Sequence, residues 1–301
     1  MIGSYEHIVV GVDGTLASDE ACRVGCAQAD LYGLPLSLVH AWQPTSVYFD
    51  GSRDEPPVWG NEAVVRAAGR QVLERAVALT QAVAPDLTYE VHLVERDTCD
   101  ALEEFSRQAA LTVVGGRERD RHDLSWLGST PLHLVTRTHS PVLVVPTDPR
   151  LTGDVVVGIE SSPLSETVLG FAFEQATLAG CGVRAVAAVD RAFGRLTLDS
   201  RQAADLHERK RRTLSDQLGP CRTRYPAVSV DMVVSSDHPF QALHQAADDA
   251  RLLVVGSHGR GFVQRHALGS VSAALLRVST CPVAVIGPDV TNLSQHEHNH
   301  S

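Results

Sequence analysis

The stretch Val254-Val255-Gly256-Ser257-His258-Gly259, followed by Leu268-Gly269-Ser270, is the most informative part of this sequence. An apolar run that ends in glycines is typical of a buried strand that passes into a loop. Glycine lets the main chain approach a ligand without a Cβ atom and adopt positive φ angles. A helix that begins at Ser270 directs unpaired N–H groups and the positive end of its dipole towards the same loop. The stretch therefore predicts a phosphate-binding loop.

The same layout occurs earlier in the chain, as Val113-Val114-Gly115-Gly116-Arg117-Glu118 followed by Leu127-Gly128-Ser129. The distance from the first glycine to the Gly-Ser pair is the same in both copies. This agreement indicates a duplicated site rather than one chance match.

The duplication extends through the whole chain. His7–Thr15 matches Asp154–Ser162 at an offset of 147, and Ser140–Pro146 matches Cys281–Gly287 at an offset of 141. The first half therefore has a few extra residues in its middle. The repeat predicts two modules, at residues 1–150 and 151–301, each of ordinary domain size.

Short apolar segments alternate with helical patterns in both halves, which predicts an α/β fold with parallel sheets and helices on both faces. Ligands of such folds bind at the carboxyl ends of the strands, where the strand order reverses. The predicted strands are 8–12, 36–42, 88–94, 111–115, 142–145, 155–159, 183–189, 228–234, 252–256 and 283–286. The predicted helices are 19–31, 61–83, 98–110, 165–179, 201–218 and 239–250.

Two segments fall outside this alternation. Residues 44–60 hold three prolines and two glycines, and we expect a surface loop there. The tail from about residue 290 is polar and carries alternate histidines near its end, so we expect it to be disordered rather than a metal site.

The composition excludes several classes of function. A formal charge of −10 lacks the basic surface that nucleic-acid binding requires. No apolar run reaches the length of a membrane span, and the first residues do not resemble a signal peptide. We therefore expect a cytoplasmic protein without nucleic-acid or membrane partners. Cys22 and Cys26 lie one helical turn apart, and we expect small buried groups rather than metal ligands.

Taken in order and repeated twice, V-G-V-D-G, G-x2-G-x9-G-S and the following Ser/Cys-Pro-Val resemble the universal stress protein family. The resemblance covers nearly all of the chain and implies two tandem Rossmann-like modules, each a five-stranded parallel sheet in the order 3-2-1-4-5. It also implies that the modules pair through their last strands, here between the two halves as a pseudo-dimer, and two such chains can still form a homodimer. Members with the full glycine motif typically bind ATP or a related adenine nucleotide.

The resemblance assigns nucleotide-binding residues in both halves. In the second half Ala188 is the expected adenine neighbour, and Ile159 and Glu160 stand where the family has a hydrophobic residue and an aspartate. The second site then comprises Ile159, Glu160, Ala188, Gly256, Ser257, His258, Gly259, Arg260, Gly269, Ser270, Val271 and Ser272. The first site comprises Val12, Asp13, Ala41, Gly115, Gly128, Ser129 and Thr130.

Both sites depart from the family pattern. In the first half, Glu118 replaces a motif glycine and Pro131 removes one amide from the start of the helix. In the second half the glycines are complete but Glu160 replaces the aspartate, and a glutamate can still hold Mg²⁺ or a ribose hydroxyl. We expect the second site to bind nucleotide better. The glycines also have a purely structural interpretation as turns and caps, and for the first half that interpretation stays open.

The motifs offer little support for catalysis. Lys210, the one lysine of the chain, lies on a predicted helix away from the glycine loops, so a Walker-type loop is excluded. No resident metal site is predicted; Mg²⁺ would enter only with the nucleotide. The leading hypothesis is an ATP-binding regulatory protein of the stress response. A nucleotide-independent scaffold and a weak ATPase are the alternatives.

Overall fold

The computed structural model describes residues 5–43, 46–47, 58–59, 62–116, 129–160, 162, 164–189, 200–257 and 268–290. Strands and helices alternate in both halves, as predicted. The first half contains β1 (His7–Gly11), α1 (Leu16–Tyr32), β2 (Leu36–Trp42), β3 (Ser46–Val47), β4 (Val58–Trp59), α2 (Glu62–Val83), β5 (Tyr89–Glu95), α3 (Thr98–Phe105), β6 (Ala109–Gly115), α4 (Ser129–Leu134) and β7 (Val142–Val145). The second half contains β8 (Val155–Gly158), α5 (Ser165–Ala179), β9 (Val183–Ala188), α6 (Ser200–Arg224), β10 (Val230–Ser235), α7 (Pro239–Ala247), β11 (Leu252–Gly256), α8 (Ser270–Val278) and β12 (Val283–Ile286).

Ten strands form one sheet, in the order β10-β9-β8-β11-β12-β7-β6-β1-β2-β5. When the five strands that each half gives to this sheet are numbered in chain order, both halves have the order 3-2-1-4-5. All pairs of this sheet that lie within one half are parallel, because a helix crosses over between its successive strands.

The two halves meet through their last strands. β7 and β12 pair antiparallel, with Val144 opposite Val283 and Val142 opposite Val285. The edge at the last strand of each half is therefore covered by the other half, and β10 and β5 form the two ends of the sheet. The division at residue 150 stays a prediction.

Helices cover both faces of this sheet, and each face has an apolar core that includes residues of both halves. One core packs under α1, α2, α5 and α6, and buries Phe171 and Phe173 with Ile8 and Leu36. The other packs under α3, α4, α7 and α8 and buries residues such as Leu102. Strands buried on both faces explain why the sequence shows continuous apolar runs rather than alternation.

Local signals fix the ends of several helices. The Thr15 side chain caps α1 by accepting a hydrogen bond from the Ser18 N–H over 3.1 Å. Gly33 directly follows α1 and Gly180 directly follows α5, both with φ of 63°. This left-handed conformation suits glycine and closes the helix through hydrogen bonds to its last carbonyls.

The helix bounds differ most from the prediction at the ends of α3 and α6. α3 ends at Phe105 rather than at residue 110, because the backbone from Ala109 belongs to β6. α6 continues to Arg224 although Pro220 lies inside it. A proline removes one helical hydrogen bond, and the packing of Cys221 and Tyr225 on the core holds the chain in the helix beyond it.

Two further expectations meet the structure only in part. Within residues 44–60 a short ladder pairs Ser46 with Trp59 and Val47 with Val58, where a loop was expected. The rest of that segment lies outside the described residues, as does the tail from residue 291.

Cys22 and Cys26 are 1% and 2% exposed, as predicted for buried apolar groups.

Candidate functional site

A cavity of about 690 Å³ opens at the carboxyl ends of the strands in the second half. β8 lies between β9 and β11 in the sheet, so the chain leaves β8 in one direction and returns on its other side. Ligands of open α/β sheets bind at such a reversal. Eight residues of the predicted second site line it: Ile159, Glu160, Ala188, Gly256, Gly269, Ser270, Val271 and Ser272.

The first turn of α8 forms one wall of this cavity. Gly269 precedes the helix in an extended conformation, with φ of −62° and ψ of 147°, and as a glycine it offers no side chain to cap α8. The Ala273 N–H donates to the Gly269 carbonyl over 2.9 Å, which begins the helical hydrogen bonds. The amides of Ser270, Val271 and Ser272 precede that bond and belong to the turn whose N–H groups have no acceptor within the helix.

Two hydrogen bonds fix α8 against the end of β11, and a third joins that end to β12. The Ser272 hydroxyl donates to the Gly256 carbonyl over 2.7 Å. The Gly269 N–H donates to the Ser257 carbonyl over 2.6 Å, and the Ser257 N–H donates to the Ile286 carbonyl over 2.8 Å. These bonds close the base of the glycine loop. His258, Gly259 and Arg260, which the sequence also assigned to the site, lie outside the described residues.

The end of β8 supplies the opposite wall. Ile159 is 6% exposed, and its N–H donates to the Val186 carbonyl over 2.8 Å, which keeps the chain in the sheet for one more residue. Glu160, the next residue, is exposed and lines the cavity. Its carbonyl accepts from the Ser165 hydroxyl, and the Ser162 N–H donates to the same hydroxyl over 3.1 Å. The start of α5 therefore holds the position of Glu160.

The sequence analysis missed the polar residues that follow β10. Asp237, His238 and Gln241 line the cavity from the start of α7. His238 caps that helix, since its Nδ1 accepts from the Phe240 N–H over 3.3 Å. The signal was present, because these residues follow a strand of the same sheet at its carboxyl end.

The position predicted for Lys210 is wrong. Lys210 lies on α6, but it lines the same cavity as Gly256 and Gly269 rather than being remote from the glycine loop. The sequence shows that Lys210 is on a helix but not which face of that helix turns to the ligand edge of the sheet. The exclusion of a Walker-type loop, which rests on the motif alone, is unaffected.

The first half brings together the equivalent strand ends. β1 lies between β2 and β6, so Val12, Asp13, Ala41 and Gly115 follow or end neighbouring strands. One oxygen of the Asp13 carboxylate accepts from the Thr15 N–H over 3.0 Å and from the Thr15 hydroxyl over 2.7 Å. That oxygen is therefore already used by the turn before α1.

The glycine and the helix of the first half have structural constraints of their own. A Cβ atom on Gly115 would lie 2.8 Å from the Ser18 backbone nitrogen, so close packing on α1 already requires a glycine there. Ser129 and Thr130 begin α4, which has six residues and a proline, Pro131, at its third position. Gly128 and Glu118 lie outside the described residues.

Within the described parts of the chain, no group of three or more His, Cys, Asp or Glu side chains could hold a metal ion. Within the same parts, no helix is long and apolar enough to cross a membrane.

Comparison with known proteins agrees with this architecture. A sequence model of the universal stress protein family matches residues 4–146 and again residues 152–287. A universal stress protein of Mycobacterium tuberculosis is 34% identical over 293 residues, which cover 92% of this chain and 96% of that protein.

A solved structure gives the same result for the fold. A universal stress protein from Archaeoglobus fulgidus aligns with a TM-score of 0.67 at 17% identity and covers 94% of this chain and 98% of its own. A universal stress protein solved in complex with cAMP covers 48% of this chain and 99% of its own, at 25% identity and a TM-score of 0.37. The double match of the family model and the mycobacterial relative establish that this chain belongs to the universal stress protein family, as a member with two tandem copies of the domain.

Proposed function

We propose that this protein is an adenine-nucleotide-binding regulator of the stress response, and that its second half binds ATP or a related adenine nucleotide. The observation that carries the proposal is the N-terminus of α8, which follows a glycine without a capping side chain and opens on a cavity of about 690 Å³. A helix start of this kind binds phosphate through its free N–H groups and its dipole. The cavity volume is within the usual range for small-molecule sites.

Different residues of the cavity lining suit the phosphates, the base and the ribose of a nucleotide. Gly256, Gly269 and the first turn of α8 offer backbone groups to phosphates. Apolar side chains such as Val168 and Val186, beside Ala188, offer a surface to the adenine base. The Glu160 carboxylate suits a ribose hydroxyl or a Mg²⁺ ion that enters with the nucleotide.

We propose that the first half binds nucleotide weakly or not at all. Its helix α4 is short and carries Pro131 where α8 has an amide at Ser272. The Asp13 carboxylate is engaged by Thr15, and Gly115 has a packing role without any ligand. Each of these features lowers the number of groups that a phosphate or ribose could bind.

The proposed regulation acts through the junction of the halves. β12 follows α8 directly, and it pairs with β7 of the first half. A nucleotide that orders the first turn of α8 would therefore act next to the strand pair that joins the halves. A homodimer remains compatible with this arrangement and would use a surface other than β7 and β12.

Calorimetric titration with MgATP tests the proposal, with two matched variants. Ala188→Phe places a ring in the second cavity, and Ala41→Phe makes the same change at the equivalent position of the first half. We expect ATP binding to the wild type, loss of binding in Ala188→Phe and unchanged binding in Ala41→Phe. Absence of binding to the wild type would overturn the proposal, and the reverse pattern of the variants would move the site to the first half.

A further inference from the structure

Lys210 is the one lysine among 301 residues, and the structure places it at the candidate nucleotide site. It lies near the middle of α6, its side chain is half-buried, and it lines the cavity shared by β8, β11 and α8. The family motif does not include α6. The position of this residue therefore calls for an explanation of its own.

Comparison of the halves shows why the cavity reaches α6. The buried residues Leu73 of α2 and Leu214 of α6 are equivalent at the offset of 141 that relates the glycine loops, so Lys210 corresponds to Gly69. In the first half a Cβ atom on Gly69 would lie 2.8 Å from Cδ2 of His40 on β2. The imidazole thus occupies the space next to the helix.

In the second half the large residue of this pair lies on the helix and the small residue lies on the strand. The Val12 N–H donates to the Val39 carbonyl and the Ile159 N–H to the Val186 carbonyl, so His40 corresponds to Ala187. A methyl group on β9 replaces the ring on β2, and a lysine on α6 replaces the glycine on α2. The second half therefore has room for a long cationic side chain that extends from the helix towards the strand ends.

The charges around the cavity show what this cation can do. Among the described lining residues, Glu160 and Asp237 are carboxylates and Lys210 is the one ammonium group. The whole chain carries a formal charge of −10. Like charges disfavour a polyphosphate, and the partial charge of one helix end is only about half an elementary charge. Within the described lining, Lys210 is therefore the side chain that can offset this repulsion for a bound phosphate.

We propose that Lys210 is a ligand-binding residue of the second site, whose ammonium group contacts the phosphates of the bound adenine nucleotide. This inference rests on the proposed function. A lysine acts here as a flexible point charge, unlike the fixed backbone amides of α8. The site then recognises phosphate from two sides, with α8 and the glycines on one and α6 on the other.

Titration with adenosine, AMP and ATP separates this role from others. Loss of a charge-assisted hydrogen bond corresponds to about tenfold to hundredfold in affinity. We expect Lys210→Met to weaken AMP and ATP by at least about tenfold and adenosine by less than about threefold. Lys210→Arg should retain most of the affinity, because it keeps the charge.

Arg211→Met provides the matched control, since it removes one positive charge from the next, exposed position of α6. Equal weakening of adenosine and the nucleotides in Lys210→Met would overturn the inference, as would equal effects of Lys210→Met and Arg211→Met. The thermal unfolding midpoint identifies a variant that has lost its fold. Failure of the wild type to bind any adenine nucleotide would instead refute the proposed function.

A second measurement leaves the residue in place. N-hydroxysuccinimidyl acetate acetylates amines, and the one lysine gives a single side-chain product that mass spectrometry can follow. We expect saturating MgATP to slow acetylation of Lys210 by at least about fivefold while the amino terminus reacts at the same rate, because a phosphate contact shields the amine. Adenosine should protect less than ATP. Unchanged acetylation of Lys210 under saturating ATP would contradict the contact.

Discussion

Ser272 and Pro131 hold the same position in the two halves and offer different groups to a ligand. Ser272 is 6% exposed, its hydroxyl donates to the Gly256 carbonyl over 2.7 Å, and its own N–H faces the start of α8. Pro131 has neither a hydroxyl nor an N–H. One residue therefore separates a helix start with a full set of amides from one that lacks an amide.

The substitution Ser272→Pro gives the second half the proline that the first half has at this position. Proline is tolerated in the first turn of a helix, where its N–H has no intrahelical partner. We expect MgATP affinity to fall by at least about tenfold, because one phosphate donor is lost. Ser272→Ala, which keeps the amide, should lose less than about threefold and about 1 kcal/mol of stability. Equal affinities of the two variants would refute a role for the amide.

Gly153 is constrained by its backbone and by its neighbour. Its φ is 94°, and a Cβ atom would lie 2.0 Å from the Asp249 carbonyl oxygen. We expect Gly153→Ala to lower the free energy of unfolding by about 2 kcal/mol or more, measured by urea denaturation. Gly170, inside α5, has no such neighbour within 4 Å, and Gly170→Ala should stabilise the protein by about 1 kcal/mol. Similar effects of the two substitutions would contradict this account.

At the scale of the elements, the sequence predicts the strands better than the helices. Strands buried on both faces appear as apolar runs bounded by glycine or polar residues, and their observed bounds differ from the predicted ones by at most two residues. α6 continues past Pro220 because packing on the core outweighs the local signal. Lys210 was misplaced for a related reason: the face of a polar helix that meets a cavity is decided by the neighbouring strands.

The start of α1 can be tested as an element. Thr15 accepts from the Ser18 N–H and donates to Asp13, so it links the cap of α1 to the turn after β1. We expect Thr15→Ala to lower the free energy of unfolding by about 1 kcal/mol, whereas Thr15→Ser keeps the hydroxyl and most of the stability. Equal stabilities of the Ala and Ser variants in urea denaturation would show that the cap contributes nothing.

At the scale of the whole molecule, the duplication predicts two related folds but not the contacts between them. The pairing of the last strands, β7 and β12, was expected from the family resemblance, whereas side-chain contacts elsewhere between the halves were not predicted. Tyr32, the last residue of α1, is one example. Its hydroxyl donates to Oε2 of Glu174 over 3.3 Å and accepts from Nε2 of Gln175 over 2.9 Å. Comparison of the two halves in sequence does not predict this contact.

Glu174 makes the contact between α1 and α5 sensitive to pH. Burial raises the pKa of Glu174 to about 7 from an ordinary value of 4.5, although the hydrogen bond from Tyr32 and the charge of Arg224 lower it. The folded protein therefore binds a proton that the unfolded chain releases between pH 4.5 and 7. The stability that this proton provides is complete below pH 4.5 and is lost as the pH rises through 7.

Glu174→Gln replaces the carboxyl by a neutral group that can still accept from Tyr32. We expect its free energy of unfolding to exceed that of the wild type by up to about 3 kcal/mol at pH 8, and by less than about 1 kcal/mol at pH 5. Urea denaturation of both proteins from pH 5 to 8 measures the difference. Glu74→Gln, at an exposed position of α2, is the matched control and should follow the wild type. Parallel curves for Glu174→Gln and the wild type would contradict this account. Glu174 would then be as well solvated in the folded protein as in the unfolded chain, and the contact between α1 and α5 would not respond to pH through this residue.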